Sequence, residues 1–391
     1  MSKALDFANS NLGDGEFTGF RLPSGTTGQR PATGNSGDLR FNTTTGSMEY
    51  WSSGDFNPQW RDIDEAAQPD PVIDYLVVAG GGGGGAGYRA GGGGAGGYRT
   101  SVGTSGGNSS AENGIVAVLG TAYSLVVGAG GTRGTGVNHG NSDVNRGQNG
   151  GDSTFATVTS TGGGGGGTYF TAPRYEGRDG GSGGGAGGGH STALAAGDGT
   201  TNQGFKGGES PSNSIDAGGG GGGAGGAGAD SGTSEGASNG GVGLATTLIT
   251  TSMASTYSVG EVSSGSVYFA GGGAGGTYNV ASAGTVNQGG LGGGGDTTHA
   301  TSAQTALGAA ATGGTNTGGG GAGIPSIQEG ANGGSGVIIL RTPTNLNATF
   351  TSGVTANGAT GSSISPDTSI SGYRTYVITA AASGQTVTFS T

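Results

Sequence analysis

Runs of consecutive glycine constrain this chain more than any other feature. Unbroken sixes occupy residues 80–85, 162–167 and 218–223, and shorter runs sit at 91–94, 271–273, 292–295 and 318–321. A further run at 183–189 is interrupted once, by Ala186. Of 101 glycines, nine precede Gly80 and five follow Gly336, so the middle of the chain is built from a residue with no side chain to pack. Only 30% of residues are hydrophobic and 6% aromatic, which excludes one close-packed apolar core for all 391 residues.

Glycine loses more entropy on ordering than any other residue, so an isolated run behaves as a coil. Collagen is excluded, because no sustained G-X-Y period is present and the chain has only 10 prolines. The ordered alternative is polyproline-II geometry adopted by glycine itself, with three residues per turn and about 3.1 Å rise. Backbone N–H and C=O then point sideways, and neighbouring helices satisfy one another only where no Cβ stands between them. Ala86, Ala95, Ala186, Ala224, Ala274 and Ala322 are expected where a run faces outward. Some ice-binding bundles show a three-residue glycine period, which this chain is read as lacking.

Ordinary sequence flanks this middle. Segments 38–42, 47–51 and 59–63 alternate as short strands, with TTTG as a turn, giving a small N-terminal β module over 1–65 with Trp51 and Trp60 as its core. Residues 66–74 carry two prolines and two acids and read as a linker. The glycine-rich domain is assigned to 75–341, with apolar strands such as YLVVA, IVAVL, YSLVV, STFATV and SVYFA leading into glycine. VIILR, NATFTS, RTYVITA and QTVTFS are strand candidates, and 342–391 reads as a small C-terminal β domain. The fold class is mainly β and irregular, with little or no α-helix, because no stretch shows a sustained helical period.

Charge and cysteine content narrow the function. A net charge of -11 repels phosphate backbones and anionic lipid, arguing against nucleic acid and membrane as partners. With no cysteine there is no disulfide framework and no thiolate metal site. The first residues lack a secretory h-region, and no window reaches the apolar length of a membrane span. The GxGxxG match in 75–87 lacks a following helix, and the only lysines, Lys3 and Lys206, stand outside any GK[ST] motif. GGAGAD at 225–230 is half of a calcium nonapeptide without a tandem copy, and His139, His190 and His299 lie in separate loops. No catalytic, cofactor or metal site is assigned, and no carboxylate pair stands out for glycan cleavage.

The most informative segment is TYFTAPRYEGRDG, which concentrates Tyr169, Phe170, Arg174, Tyr175 and Arg178 between two glycine runs. Rings stack on sugar faces and arginine forks onto carboxylates or phosphates, which suits host-surface recognition. The bland alternative is that these rings lid the glycine lattice. Tyr88, Arg89, Tyr98 and Arg99 form two Tyr-Arg pairs, each after a glycine segment, and read first as closing helix ends; with Phe205 and Tyr278 they are weaker receptor candidates.

The segment LPSGTTGQRPATGNSGDLRFNTTTGSMEYW resembles a β module of bacteriophage tail-fibre and other virion proteins, particularly those of marine phages. The frame from YLVVAGGGGGG to GGSGVIILRT resembles their glycine-rich domain, and is similar in style to phage adhesins with a polyglycine-II sandwich and variable loops at one end. The resemblance implies a non-enzymatic virion protein. It would be a receptor-binding adhesin or tail-fibre component, or a purely structural head, whisker or extracellular filament subunit. The partners implied are other virion or fibre subunits, a host glycan or outer-membrane protein, and further copies of the chain, up to a trimer.

Overall fold

A computed structural model describes residues 22–52, 59–63, 71–135, 143–169, 175–189, 191–211, 217–231, 238–277, 286–298, 310–325 and 329–391. The chain divides into two compact units, Met1–Asp70 and Pro71–Thr391.

In the first unit the expected meander forms from Leu39–Asn42, Ser47–Ser52 and Gln59–Asp62, and a short strand, Ser24–Gly25, adds in parallel to its edge. Trp51 is buried and meets Trp60 edge to face, with ring centroids 5.6 Å apart.

The second unit is organised by a sheet in the order Ala359–Thr360, Thr355–Ala356, Tyr373–Ala380, Val337–Pro343, Val72–Val78, Tyr98–Thr100. Both of its faces are buried, which explains its near-continuous apolar runs. Ile73, Tyr75 and Val77 pack with Leu125, Phe155 and Phe389 of a second sheet, while Leu76 and Val78 pack with Leu248, Met253 and Phe269. Two expected boundaries shift as a result. Residues 72–74, read as linker, lie in the central strand, because Ile73 is core. The segment 342–391 is no separate domain, because Tyr373–Ala380 pairs along Val337–Pro343 and Gln385–Ser390 pairs with Ala122–Val126.

Thr251–Tyr257 is the one α-helix among the described residues. Thr250 caps it by accepting the Met253 N–H at 3.2 Å, and Ser258 ends it in the left-handed region at φ 54°. Seven residues burying only Met253 and Ala254 are too few to display a period.

The glycine runs leave the sheets as struts. Along 80–86 successive N–H groups point to three different neighbours and then repeat. Gly80, Gly83 and Ala86 donate to Gly151, Gln148 and Asn145; Gly81 and Gly84 to Gly334 and Ala331; Gly82 and Gly85 to Gly94 and Gly91. That three-residue repeat is the signature of polyglycine II. The strut 91–97 is enclosed by six others. It donates to 161–167, 219–222 and 318–321, and accepts from 82–85, 182–185 and Gly273. A methyl built on Gly82 or Gly93 would overlap a backbone carbonyl of the next strut, Gly164 and Gly82 respectively.

Two expectations about the lattice need correction. The six alanines do not face outward; all are fully buried, because the long runs are interior struts with other struts around them. Ala95 and Ala224 stand near strut ends, where their methyls join the cluster around Leu248 and Met253. The lattice surface is formed by struts such as 145–151 and 175–181, which do carry a three-residue glycine period: Gly147 and Gly150, Gly177 and Gly180. Between those glycines stand Gln148 and Asn149, and Arg178 and Asp179. Side chains bridge the outer struts. The Gly165 N–H donates to Asn149 Oδ1 (3.0 Å), Asp198 N–H to Asp179 Oδ1 (2.7 Å), and Glu209 N–H to Asp230 Oδ1 (2.7 Å).

Candidate functional site

Strut direction decides where the connections fall. Strands Val72–Val78 and Ser266–Phe269 feed struts that run away from the sheets, and struts 91–97, 145–151, 238–243 and 330–336 return into strands. The lattice therefore has a sheet end and an opposite end that we call the loop end. The described residues flanking 136–142, 170–174, 212–216, 232–237, 278–285, 299–309 and 326–328 all stand at the loop end, at the close of an outgoing strut or the start of a returning one.

At the loop end the structure brings together residues that lie far apart in sequence. Tyr88, in the connection between 80–86 and 91–97, meets Tyr169 edge to face with centroids 6.1 Å apart. The Arg89 guanidinium lies 5.0 Å from the centre of the Tyr169 ring. Arg89 has φ +56°, and Gly189, at φ +90°, packs against both Arg89 and Tyr169; a side chain there would overlap them. The platform is tied to the lattice: Thr168 Oγ1 donates to the Ala86 carbonyl (2.8 Å) and Gly188 N–H to the Arg89 carbonyl (2.8 Å). All three side chains are half-buried, so part of each ring faces outward.

Other candidates are dispersed. Tyr175 begins its strut at the loop end, its carbonyl accepting the Gly187 N–H (2.7 Å). Arg178 stands one turn further along that strut, on the lattice flank, with its N–H on the Gly165 carbonyl. Phe170, Arg174 and Tyr278 lie outside the described residues. Tyr98 and Arg99 follow the strut 91–97 and so sit at the opposite end from Tyr88 and Arg89. Tyr98 is fully buried, with its hydroxyl toward the Ala245 carbonyl at 3.4 Å, and burial pushes its phenol well above the usual range. Phe205, whose N–H bonds the Gly223 carbonyl, is half-buried and also near the sheet end. Tyr98, Arg99 and Phe205 therefore lie at the opposite end of the lattice from Tyr169 and do not share a surface with it.

The sheet end holds a feature without a clear sequence signal, an open cleft of about 560 Å³ beside Arg99, Ser110, Glu112 and Asn202. Arg99 grips Glu112 through two bonds, Nε to Oε1 at 2.7 Å and Nη2 to Oε2 at 2.6 Å, and Tyr75 donates its hydroxyl to the same carboxylate at 2.9 Å. Burial first, then that carboxylate, pushes the Tyr75 phenol up; Glu112 likewise raises Arg99. Opposite charges cancel there, leaving hydroxyl and amide groups to line the cleft. Among the described residues no group of three His, Asp or Glu side chains could hold a metal ion, and no helix is long and apolar enough to cross a membrane.

A family model described as a glycine-rich domain matches residues 66–343. No curated protein and no solved structure matches the chain.

Proposed function

We propose, from the premise that this chain belongs to the glycine-rich domain family, that it is a non-enzymatic bacteriophage tail-fibre or adhesin component. It would stand on the virion surface and use its loop end to contact a host-surface glycan or outer-membrane protein. The observation that carries this reading is the gathering of seven strut-to-strut connections at the loop end, where Tyr88, Arg89 and Tyr169 also meet. The interior struts have room for little but glycine, whereas the connections between them carry ordinary side chains, and recognition residues gather on loops held by a rigid scaffold. The half-buried Tyr88 and Tyr169 rings, edge to face with Arg89 beside them, offer there the aromatic surface that sugar faces stack upon.

Labelled protein is mixed with intact bacterial cells and with arrayed surface glycans. The variant exchanges residues 170–174 for Gly and Ser at equal length and adds Tyr169→Ala. Removing 168–180 outright is unsuitable, because Thr168 and the strut 175–181 are lattice. Adsorption is expected to fall at least tenfold with the melting temperature nearly unchanged. Undiminished adsorption would remove this part of the loop end from the binding surface.

A further inference from the structure

The chain contains five Asn-Gly pairs, at Asn113, Asn149, Asn239, Asn332 and Asn357. Such a pair can cyclise. The Gly backbone nitrogen attacks Cγ of the asparagine; a new N–Cγ bond forms, the Cγ–Nδ2 bond breaks, and ammonia leaves with the proton that the nitrogen gives up. Water then opens the succinimide, at the Cγ carbonyl to leave Asp or at the main-chain carbonyl to leave isoaspartate. Glycine favours the attack because no Cβ blocks the approach. The attack needs an asparagine side chain free to turn back on its own backbone and a Gly nitrogen free of other bonds.

Three of the pairs read Asn-Gly-Gly and lie in outer struts, where the lattice holds both reacting groups apart. The Oδ1 atoms of Asn149, Asn239 and Asn332 accept the N–H groups of Gly165 (3.0 Å), Gln288 (2.9 Å) and Arg133 (2.9 Å). The next N–H in each strut, from Gly150, Gly240 and Gly333, donates to the carbonyl of Gly163, Gln288 and Gly131, each at 2.9 Å. Reaction there must first open two bonds between struts. Asn357 is held through its side chain: Nδ2 donates to the Ser365 and Thr375 carbonyls (3.0 Å each), and Oδ1 accepts the Val377 N–H (2.8 Å). Asn113 differs from all four. It is exposed, and among the described residues no hydrogen bond engages its side chain or the Gly114 N–H.

We propose that Asn113 is the site at which this protein modifies itself, losing ammonia through a succinimide with Gly114, and that the lattice shields Asn149, Asn239 and Asn332 from the same reaction. The product sets a second carboxylate next in the chain to Glu112, which lines the sheet-end cleft and which Arg99 balances one for one. The backbone carbon that isoaspartate adds falls there in the connection between Ser109–Ser110 and Ile115–Val116. In a strut the same carbon would move every later N–H off its carbonyl.

To test this, the full chain is aged in mildly alkaline buffer and then cleaved at acid pH, where the reaction does not advance. Mass spectrometry scores each Asn-Gly peptide for deamidation and isoaspartate. A parallel sample is aged in guanidinium chloride, with loss of the far-ultraviolet signal confirming that the lattice has opened. In the folded protein Asn113 is expected to react at least tenfold faster than Asn149, Asn239 and Asn332, with isoaspartate among its products. In denaturant the four rates are expected to converge. Lattice pairs that react as fast as Asn113 in the folded protein, or an Asn113 that stays intact, would overturn the proposal. Lattice pairs that remain slow in the opened chain would show that local sequence protects them, and would overturn it equally.

Discussion

The struts 80–86 and 145–151 adopt the same helix and bond to each other, yet they obey different sequence rules. The first is glycine at six successive positions because it has a strut on every side. The second, NRGQNGG, keeps glycine where it faces the first and carries Arg146, Gln148 and Asn149 elsewhere. What fixes glycine here is the absence of room for a Cβ, and the number of neighbouring struts sets how many positions per turn lack that room.

The largest effects should come from adding one carbon. Gly82→Ala places a methyl against the Gly164 carbonyl, which is backbone and has nowhere to go. We expect a loss of more than about 4 kcal/mol in denaturant unfolding, or no soluble protein. The sharper pair is adjacent on one outer strut: Gly177→Ala, whose methyl would strike the Gly184 carbonyl, should be as damaging, while Glu176→Ala, fully outward, should stay within about 0.5 kcal/mol. Equal tolerance at 176 and 177 would break the comparison.

Intermediate effects should come from the side chains that bridge outer struts. Asn149 accepts the Gly165 N–H at 3.0 Å and donates to the Asp179 carbonyl at 2.8 Å. Gly165 is buried, so Asn149→Ala strands its N–H and should destabilise by about 1–3 kcal/mol. Asp179 only accepts through Oδ1, from the Asp198 N–H, so Asp179→Asn should change the unfolding midpoint far less. A midpoint shift for Asn149→Ala no larger than for Asp179→Asn would show that water replaces the bridge.

These same rules explain what could be read in advance. The interior struts were legible because 80–85, 162–167 and 218–223 permit little else. The outer struts were not, since one glycine in three among polar residues looks like loop. Tyr169 was legible as a loop-end ring by its concentration of neighbours. Its contacts with Tyr88 and Arg89, some 80 residues earlier, were not, because identical glycines carry no address and nothing in a run says which strut it docks beside. The inward face of the N-terminal sheet was hidden differently: LRFN and SMEYW alternate as a strand should, but alternation does not say which side is inward, and Arg40, Asn42 and Glu49 are buried while Leu39, Phe41 and Met48 are exposed.

The smallest effect separates the two units by acid. The lattice interior is held by backbone groups that do not titrate, with carboxylates such as Asp179 and Asp230 bridging only outer struts, whereas the first unit folds around Glu49. Burial pushes that carboxyl up, but Arg30 and Asn42, with the charges of Arg30 and Arg40, outweigh it and hold it below its usual value. A depressed carboxyl contributes stability that is fully present above its unfolded value and is lost as pH falls through the folded one. Tryptophan emission, which reports only Trp51 and Trp60, should therefore hold steady through the ordinary carboxylate range and change below it, while the far-ultraviolet signal of the lattice persists. A tryptophan transition at or above that range would mean that Arg30 and Arg40 do not offset the burial of Glu49, and the contrast between a titrating unit and a silent lattice would be lost.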